Sequence, residues 1–327
     1  MPAAGTPNVL VILTDDVGFG ASSTFGGPVP TPTYDDLAKR GLRYSAYHNS
    51  AICSATRAAL LTGRNPHNVG MGRVTNAPTG YPGYTGFIPP SAGTIAKMLR
   101  EDGFRTAAFG KWHLIPDWEE GPAGPLDRWP TGMGFQDYFG FVRADTDQYH
   151  PALYSGTTPV APPTTPGYLV DADLADRASS WIRQERQLSP DRPFFLYFAA
   201  GATHAPHHVP KEWIARFKGQ FNGGWDKVRE ESFRRQKAGI IPADAKLTPR
   251  PSFLRLGPLS ADRKRLFARM MEVYAAQLAF ADAQVGKLMA ALKDSGALDN
   301  VLVIFSQGDN GASAEGGRPE PSTSRHL

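Results

Sequence analysis

Four short apolar runs do most to restrict the fold of this 327-residue chain. Asn8–Leu13, Arg105–Phe109, Phe194–Ala200 and Val301–Phe305 are rich in β-branched or aromatic residues and too short for stable helices, so each reads as a strand. Helical spacing marks Tyr34–Arg40, Thr56–Leu61, Thr94–Glu101, Ala172–Gln187 and Ala261–Lys293. In the last of these, Leu266, Met270, Tyr274, Leu278, Ala281, Val285, Leu288 and Leu292 recur every three or four positions. Ser260 is a natural N-cap there and Gly296 a stop. Strands alternating with helices predict an α/β protein built on a mainly parallel sheet.

Composition removes several classes. With 41% hydrophobic and 20% charged residues the chain is neither a disordered segment nor a fibrous rod. No apolar run reaches the roughly 18 residues of a membrane span, and Val9–Leu13 runs into Asp15 and Asp16 rather than into a leader cleavage site. The expected compartment is the cytoplasm, with no membrane partner. A single cysteine, Cys53, excludes an internal disulfide and a zinc site made of several thiolates.

The net charge is +4, but residues 211–270 hold 15 of the basic residues against 6 acidic ones. No aromatic interleaving or nucleic-acid module accompanies them, so the stretch reads as solvated helix faces within a basic insertion at about 211–260, with no nucleic-acid partner. Gly80–Ser91, Gly121–Pro130 and Thr157–Pro166 are rich in Pro and Gly. They read either as ordered loops over a binding face or as flexible excursions.

Each strand runs into polar, ligand-like residues. These are Thr14-Asp15-Asp16, Gly110-Lys111-Trp112-His113, Gly201-Ala202-Thr203-His204 and Gly308-Asp309-Asn310-Gly311. Taken singly, Asp-Asp after a strand is as often a turn and helix cap as a site, and the other groups are more often structural than functional. Jointly they count for more, because open α/β sheets bind ligands outside the carboxyl ends of their strands. Asp15, Asp16, Asp309 and Asn310 offer only oxygen, which suits Ca²⁺ or Mg²⁺ and not Zn²⁺. Cys53 opens a helix, where exposed N–H groups favour an anion, and Arg57 lies one turn on. A phosphatase-type thiolate would need arginine six positions after the cysteine, and Ala59 stands there.

Cys53-Ser54-Ala55-Thr56-Arg57, followed by Leu61-Thr62-Gly63-Arg64, resembles the signature of the sulfatases, Cys-x-Pro/Ala-x-Arg with its Leu-Thr-Gly-Arg extension. Asp15-Asp16, the Gly110–His113 segment, His204 and the Gly308–Gly311 segment match in the order expected of an arylsulfatase-like member of the alkaline-phosphatase-like superfamily. The resemblance implies a three-layer α/β/α sandwich in which residues 1–327 form the catalytic domain. It implies that Cys53 is oxidised to formylglycine by a separate formylglycine-generating enzyme. The metal set would be Asp15, Asp16, Asp309, Asn310 and the modified Cys53, holding Ca²⁺ or, in some members, Mg²⁺.

Arylsulfatase-type hydrolysis of small sulfate monoesters would follow. One hydroxyl of the hydrated aldehyde would attack sulfur with Asp309 assisting, and His204 would protonate the leaving group. His113 would take the proton of the second hydroxyl as sulfate departs, while Arg57 and Lys111 orient the diol and neutralise charge. His207 and His208 read as rim residues. Two other readings share this residue set: phosphate or phosphonate monoester hydrolysis, and a metal-binding fragment without activity. The first rests on the same cation and formylglycine serving a neighbouring tetrahedral oxyanion; the motive of the second is the polar stretch Gly311–Leu327, where the family continues with another lysine, more sheet and a small C-terminal subdomain. The sheet is therefore expected to be incomplete at that end, with an exposed edge and apolar surface.

Overall fold

β1 (Asn8–Leu13) lies between β6 (Phe194–Ala199) and β7 (Val301–Ser306), parallel to both. β2 (Arg105–Lys111) continues the parallel sheet beyond β6, and β3 (Asp137–Phe141) follows beyond β2. β4 (Leu153–Ser155) and β5 (Thr158–Val160) add two antiparallel strands, giving the order β5-β4-β3-β2-β6-β1-β7. The computed structural model describes residues 2–161, 163–249 and 260–311.

Side-chain alternation along the central strands builds the layers. Phe194, Leu196 and Phe198 of β6 join Leu10 and Ile12 of β1 in one apolar cluster. Phe195, Tyr197 and Ala199 join Val11 and Leu13 in another on the opposite face. The first cluster is completed by α1 (Pro32–Arg40), α4 (Val170–Leu188) and α7 (Ala261–Asp294), the second by α2 (Cys53–Thr62) and α3 (Ile95–Glu101). Burial on both faces is why these strands read as continuous apolar runs rather than as an alternating pattern. The chain is thus mixed α/β with helices on both sides of a mainly parallel sheet. No described helix is long and apolar enough to cross a membrane.

Local chemistry sets the helix ends. The Ser260 side chain accepts from Arg263 N–H at the start of α7, and Thr94 does the same for Lys97 at the start of α3. α1 differs, because Thr31 makes no side-chain cap. Instead Asp282 of α7 accepts from Thr33 N (3.1 Å) and Tyr34 N (2.9 Å), so one helix is capped by a carboxylate from another.

Several expectations are revised. β2 runs on through Gly110 and Lys111. A strand, β5, lies in a stretch read as loop, and β3 was not foreseen because Gly140 interrupts its apolar run. Glycine is needed there: a Cβ would stand 2.0 Å from the Gly110 carbonyl oxygen on β2. Leu266 and Met270 are about half exposed, and burial along α7 begins at Met271. The region read as a basic insertion forms α5 (Lys211–Ala215) and α6 (Gly224–Gln236), while residues 250–259 lie outside the described residues. α6 is tied down where Arg235 and Gln236 donate to the carbonyls of Gly26 and Phe25. Among the described residues β7 is an edge strand with Leu302 and Ile304 exposed, whereas positions 312–327 lie outside them.

Candidate active site

The carboxyl ends of β1, β2, β6 and β7 meet on one rim. Asp15 and Asp16 follow β1, and their backbone is braced by the segment after β6. Asp15 N donates to Ala202 O (2.9 Å), and Thr203 Oγ1 lies 3.2 Å from the carbonyl oxygens of both aspartates. Tyr274 of α7 donates its hydroxyl to Asp16 O at 3.1 Å. The loop after β7 approaches closely enough that a Cβ on Gly308 (φ +78°) would sit 2.0 Å from Val17 O. That approach brings Asp309 Oδ1 to 3.3 Å from Asp16 N and lets Asn310 Nδ2 donate to Asp16 Oδ1 at 2.7 Å.

Ligand oxygens of the buried Asp15, Asp16 and Asp309 lie within 4.8 Å of one another. Asp15 Oδ1, Asp16 Oδ2 and Asn310 Oδ1 are buried without a hydrogen-bond partner among the described residues. Buried polar atoms are ordinarily paired, so orphan oxygens in and beside a carboxylate cluster signal a group that would complete them. An all-oxygen set of three carboxylates and an amide fits a hard divalent cation such as Ca²⁺ or Mg²⁺. Burial and the neighbouring Asp309 push the Asp15 carboxyl well above its ordinary range. A bound cation would offset that cost.

Two fully buried cations face this cluster. Lys111 Nζ lies 2.5 Å from Asp15 Oδ2. Arg57 places Nε and Nη2 at 3.0 and 2.7 Å from Asp309 Oδ2 and donates Nη1 to Lys111 O at 2.8 Å. Burial opposes the charge on Lys111, but Asp15 holds its pKa above the ordinary value. Burial likewise opposes the Asp309 carboxylate, and there Arg57 and Lys111 prevail and hold it below the usual range.

α2 begins at Cys53, so the thiol lies at the helix N-terminus. Thr56 fixes that end by donating to Asp309 O at 2.5 Å and accepting from Ser50 N at 2.9 Å. Cys53 is buried, with Sγ 3.1 Å from His113 Nδ1. Burial, with Lys111 and Arg57 close by, drives His113 well below the ordinary imidazole value, so it is neutral and able to accept a proton. His204 stands on the other side, its Nε2 3.8 Å from Asp16 Oδ2 and its Nδ1 2.7 Å from Ala205 O. His207 contacts Thr203 O at 3.0 Å, and His208 lies 3.5 Å from Asp147 Oδ1.

Every residue singled out in the sequence for this chemistry therefore stands on the one rim. Sequence reasoning missed the supports: Thr56, Thr203, Tyr274 and the buried Asp171, which accepts from the amides of Gly201 and Ala202 behind the β6 loop. The spacing gives no signal for them, because each reaches at least one backbone group remote in sequence.

The family model described as Sulfatase matches residues 7–326. The chain belongs to the sulfatase family. It is 34% identical to an arylsulfatase of Klebsiella aerogenes over 321 residues, covering 94% of this chain and 66% of that protein. It is 30% identical to human arylsulfatase A, covering 95% of this chain and 53% of the relative. This sulfatase-family chain thus spans between about half and two thirds of the length of those two relatives. Among solved structures, yidJ from Bacteroides fragilis superposes with a TM-score of 0.69 at 21% identity, covering 95% of this chain and 65% of that one, a likeness of fold.

Proposed function

We propose that this sulfatase-family chain hydrolyses small sulfate monoesters, aryl sulfates among them, through a formylglycine made from Cys53 by a formylglycine-generating enzyme. Asp15, Asp16, Asp309 and Asn310 would hold Ca²⁺ or Mg²⁺ beside it. When bound, that cation supplies charge to offset the sulfate oxygens. The observation that carries the reading is the cluster of three buried carboxylates, two of them with an orphaned oxygen, against Arg57 and Lys111, next to a cysteine in the family signature.

The remaining work falls to the chain's own side chains. Arg57 and Lys111 add fixed positive charge where a sulfate would sit, in a site shielded from water, where such charge is most effective. His113 would accept a proton from the group that replaces the Cys53 thiol, which its 3.1 Å contact with Sγ supports. His204 would protonate the departing alcohol or phenol, a role that its position 3.8 Å from Asp16 Oδ2 supports.

Expression with a formylglycine-generating enzyme, followed by mass analysis of the tryptic peptide Tyr44–Arg57, tests the nucleophile. Conversion to the aldehyde, and sulfate release from an aryl sulfate that is lost in Cys53→Ala, are expected. An unconverted thiol together with absent sulfate release would refute the proposal.

A further inference from the structure

Asp171 lies at the start of α4, on the opposite side of the β6 loop from the cation cluster, and is only 2% exposed. Its two carboxylate oxygens accept from consecutive amides, Gly201 N at 2.9 Å and Ala202 N at 3.1 Å. The carbonyls of the same two residues face the other way. Gly201 O accepts from His204 N at 3.0 Å, and Ala202 O accepts from Asp15 N at 2.9 Å. Thr203, next in the chain, holds the carbonyls of Asp15 and Asp16 through its hydroxyl. One carboxylate therefore grips a two-residue bridge whose far side holds the backbone of a proton donor and of a cation ligand.

We infer that Asp171 is a positioning residue that sets both the His204 imidazole and the Asp15–Asp16 pair through the Gly201–Ala202 bridge. This rests on the proposed function for the part played by His204. Other ways of satisfying two buried amides were open to the fold, a backbone carbonyl or a serine among them. A bidentate carboxylate fixes both peptide planes at once, and charge-assisted bonds are shorter and stronger than neutral ones. Second partners of this kind commonly govern how well ligands and proton donors are held.

The test compares the full chain, produced with a formylglycine-generating enzyme, as wild type, Asp171→Ala and Asp171→Asn. Calcium affinity is measured by titration calorimetry well below each melting temperature, and kcat is measured with para-nitrophenyl sulfate and with phenyl sulfate. Phenol is the poorer leaving group and depends more on a placed acid. Asp171→Ala is expected to bind Ca²⁺ about 10-fold more weakly and to lose at least about 10-fold more kcat on phenyl sulfate than on the nitrophenyl ester, within the range a general acid supplies. Asp171→Asn keeps one acceptor, so smaller shifts in the same direction are expected, and it decides the matter if the alanine variant does not fold.

A folded variant with wild-type calcium affinity and an unchanged ratio between the two esters would overturn the inference, since a merely structural role lowers the melting temperature alone. A wild type inactive on both esters would refute the proposed function and leave the calcium comparison to judge Asp171. A wild type that takes up neither calcium nor magnesium would refute both.

Discussion

Cys53 Sγ lies 3.1 Å from His113 Nδ1, yet the pair is not poised as a reactive thiolate couple. Burial raises the Cys53 thiol and lowers His113, so both are neutral at physiological pH. Catalytic thiolates need the reverse, a partly exposed and electropositive setting that lowers the thiol. The unconverted thiol should therefore be inert in the folded protein. Alkylation by iodoacetamide at pH 8 is expected to run at least about 10-fold slower in buffer than in denaturant, in line with the thiolate's control of reactivity. Equal rates would contradict the buried geometry.

Arg57 should be costly to remove from this rim. Its guanidinium is fully buried, bonded to Asp309 and to the Lys111 carbonyl. Truncation would strand the Asp309 carboxylate in the interior. Breaking a buried pair from one side ordinarily costs about 3–5 kcal/mol. Arg57→Ala should lose that much in urea unfolding, and Arg57→Lys should recover only part of it, because one ammonium does not reproduce the fork. A loss below about 1 kcal/mol, the level of an exposed pair, would count against the buried network.

The orphan oxygens predict a stability response to metal. Free Ca²⁺ at 100 times its Kd would stabilise the native state by about 2.7 kcal/mol, read as a rise in melting temperature that a chelator reverses. Asp16→Asn removes one of three converging carboxylates. Without metal it should be at least as stable as wild type, because like charges no longer crowd a buried site, while its calcium-induced rise should largely vanish. An undiminished rise in that variant would place the cation elsewhere.

Both the fold and the rim were legible for the same reason. Central strands such as Phe194–Ala199, buried on both faces, have no polar alternation to blur their limits, and the residues that follow them project onto one edge. The family signature then tied Cys53 and Arg57 to that edge. What escaped reading depends on contacts between remote segments. β3 looked unlike a strand because Gly140 serves the close approach of β2. Asp282 looked like one polar position on a long helix, although its partners are amides some 250 residues away. Leu266 and Met270 kept the helical period of a core face on a part of α7 that is largely exposed, since periodicity records which residues share a stripe and not what lies against it.

That cross-helix cap yields a prediction with a definite sign. Burial raises Asp282 from an ordinary 3.8 to about 6, against the lowering effect of the Tyr34 and Thr33 amides. Between those values the native state holds a proton that the unfolded chain has released. Unfolding free energy then falls as pH rises, because stability increases with pH only where the unfolded state binds more protons. Asp282→Asn removes this titration while keeping an acceptor for the α1 amides. The stability of wild type relative to Asp282→Asn should therefore decline as pH is taken from 4 to 7, by up to about 3 kcal/mol at 1.36 kcal/mol per unit. Urea unfolding of both proteins across that range measures the difference. A difference that stays flat, or that grows with pH, would mean that the carboxylate capping α1 is charged and unstrained throughout.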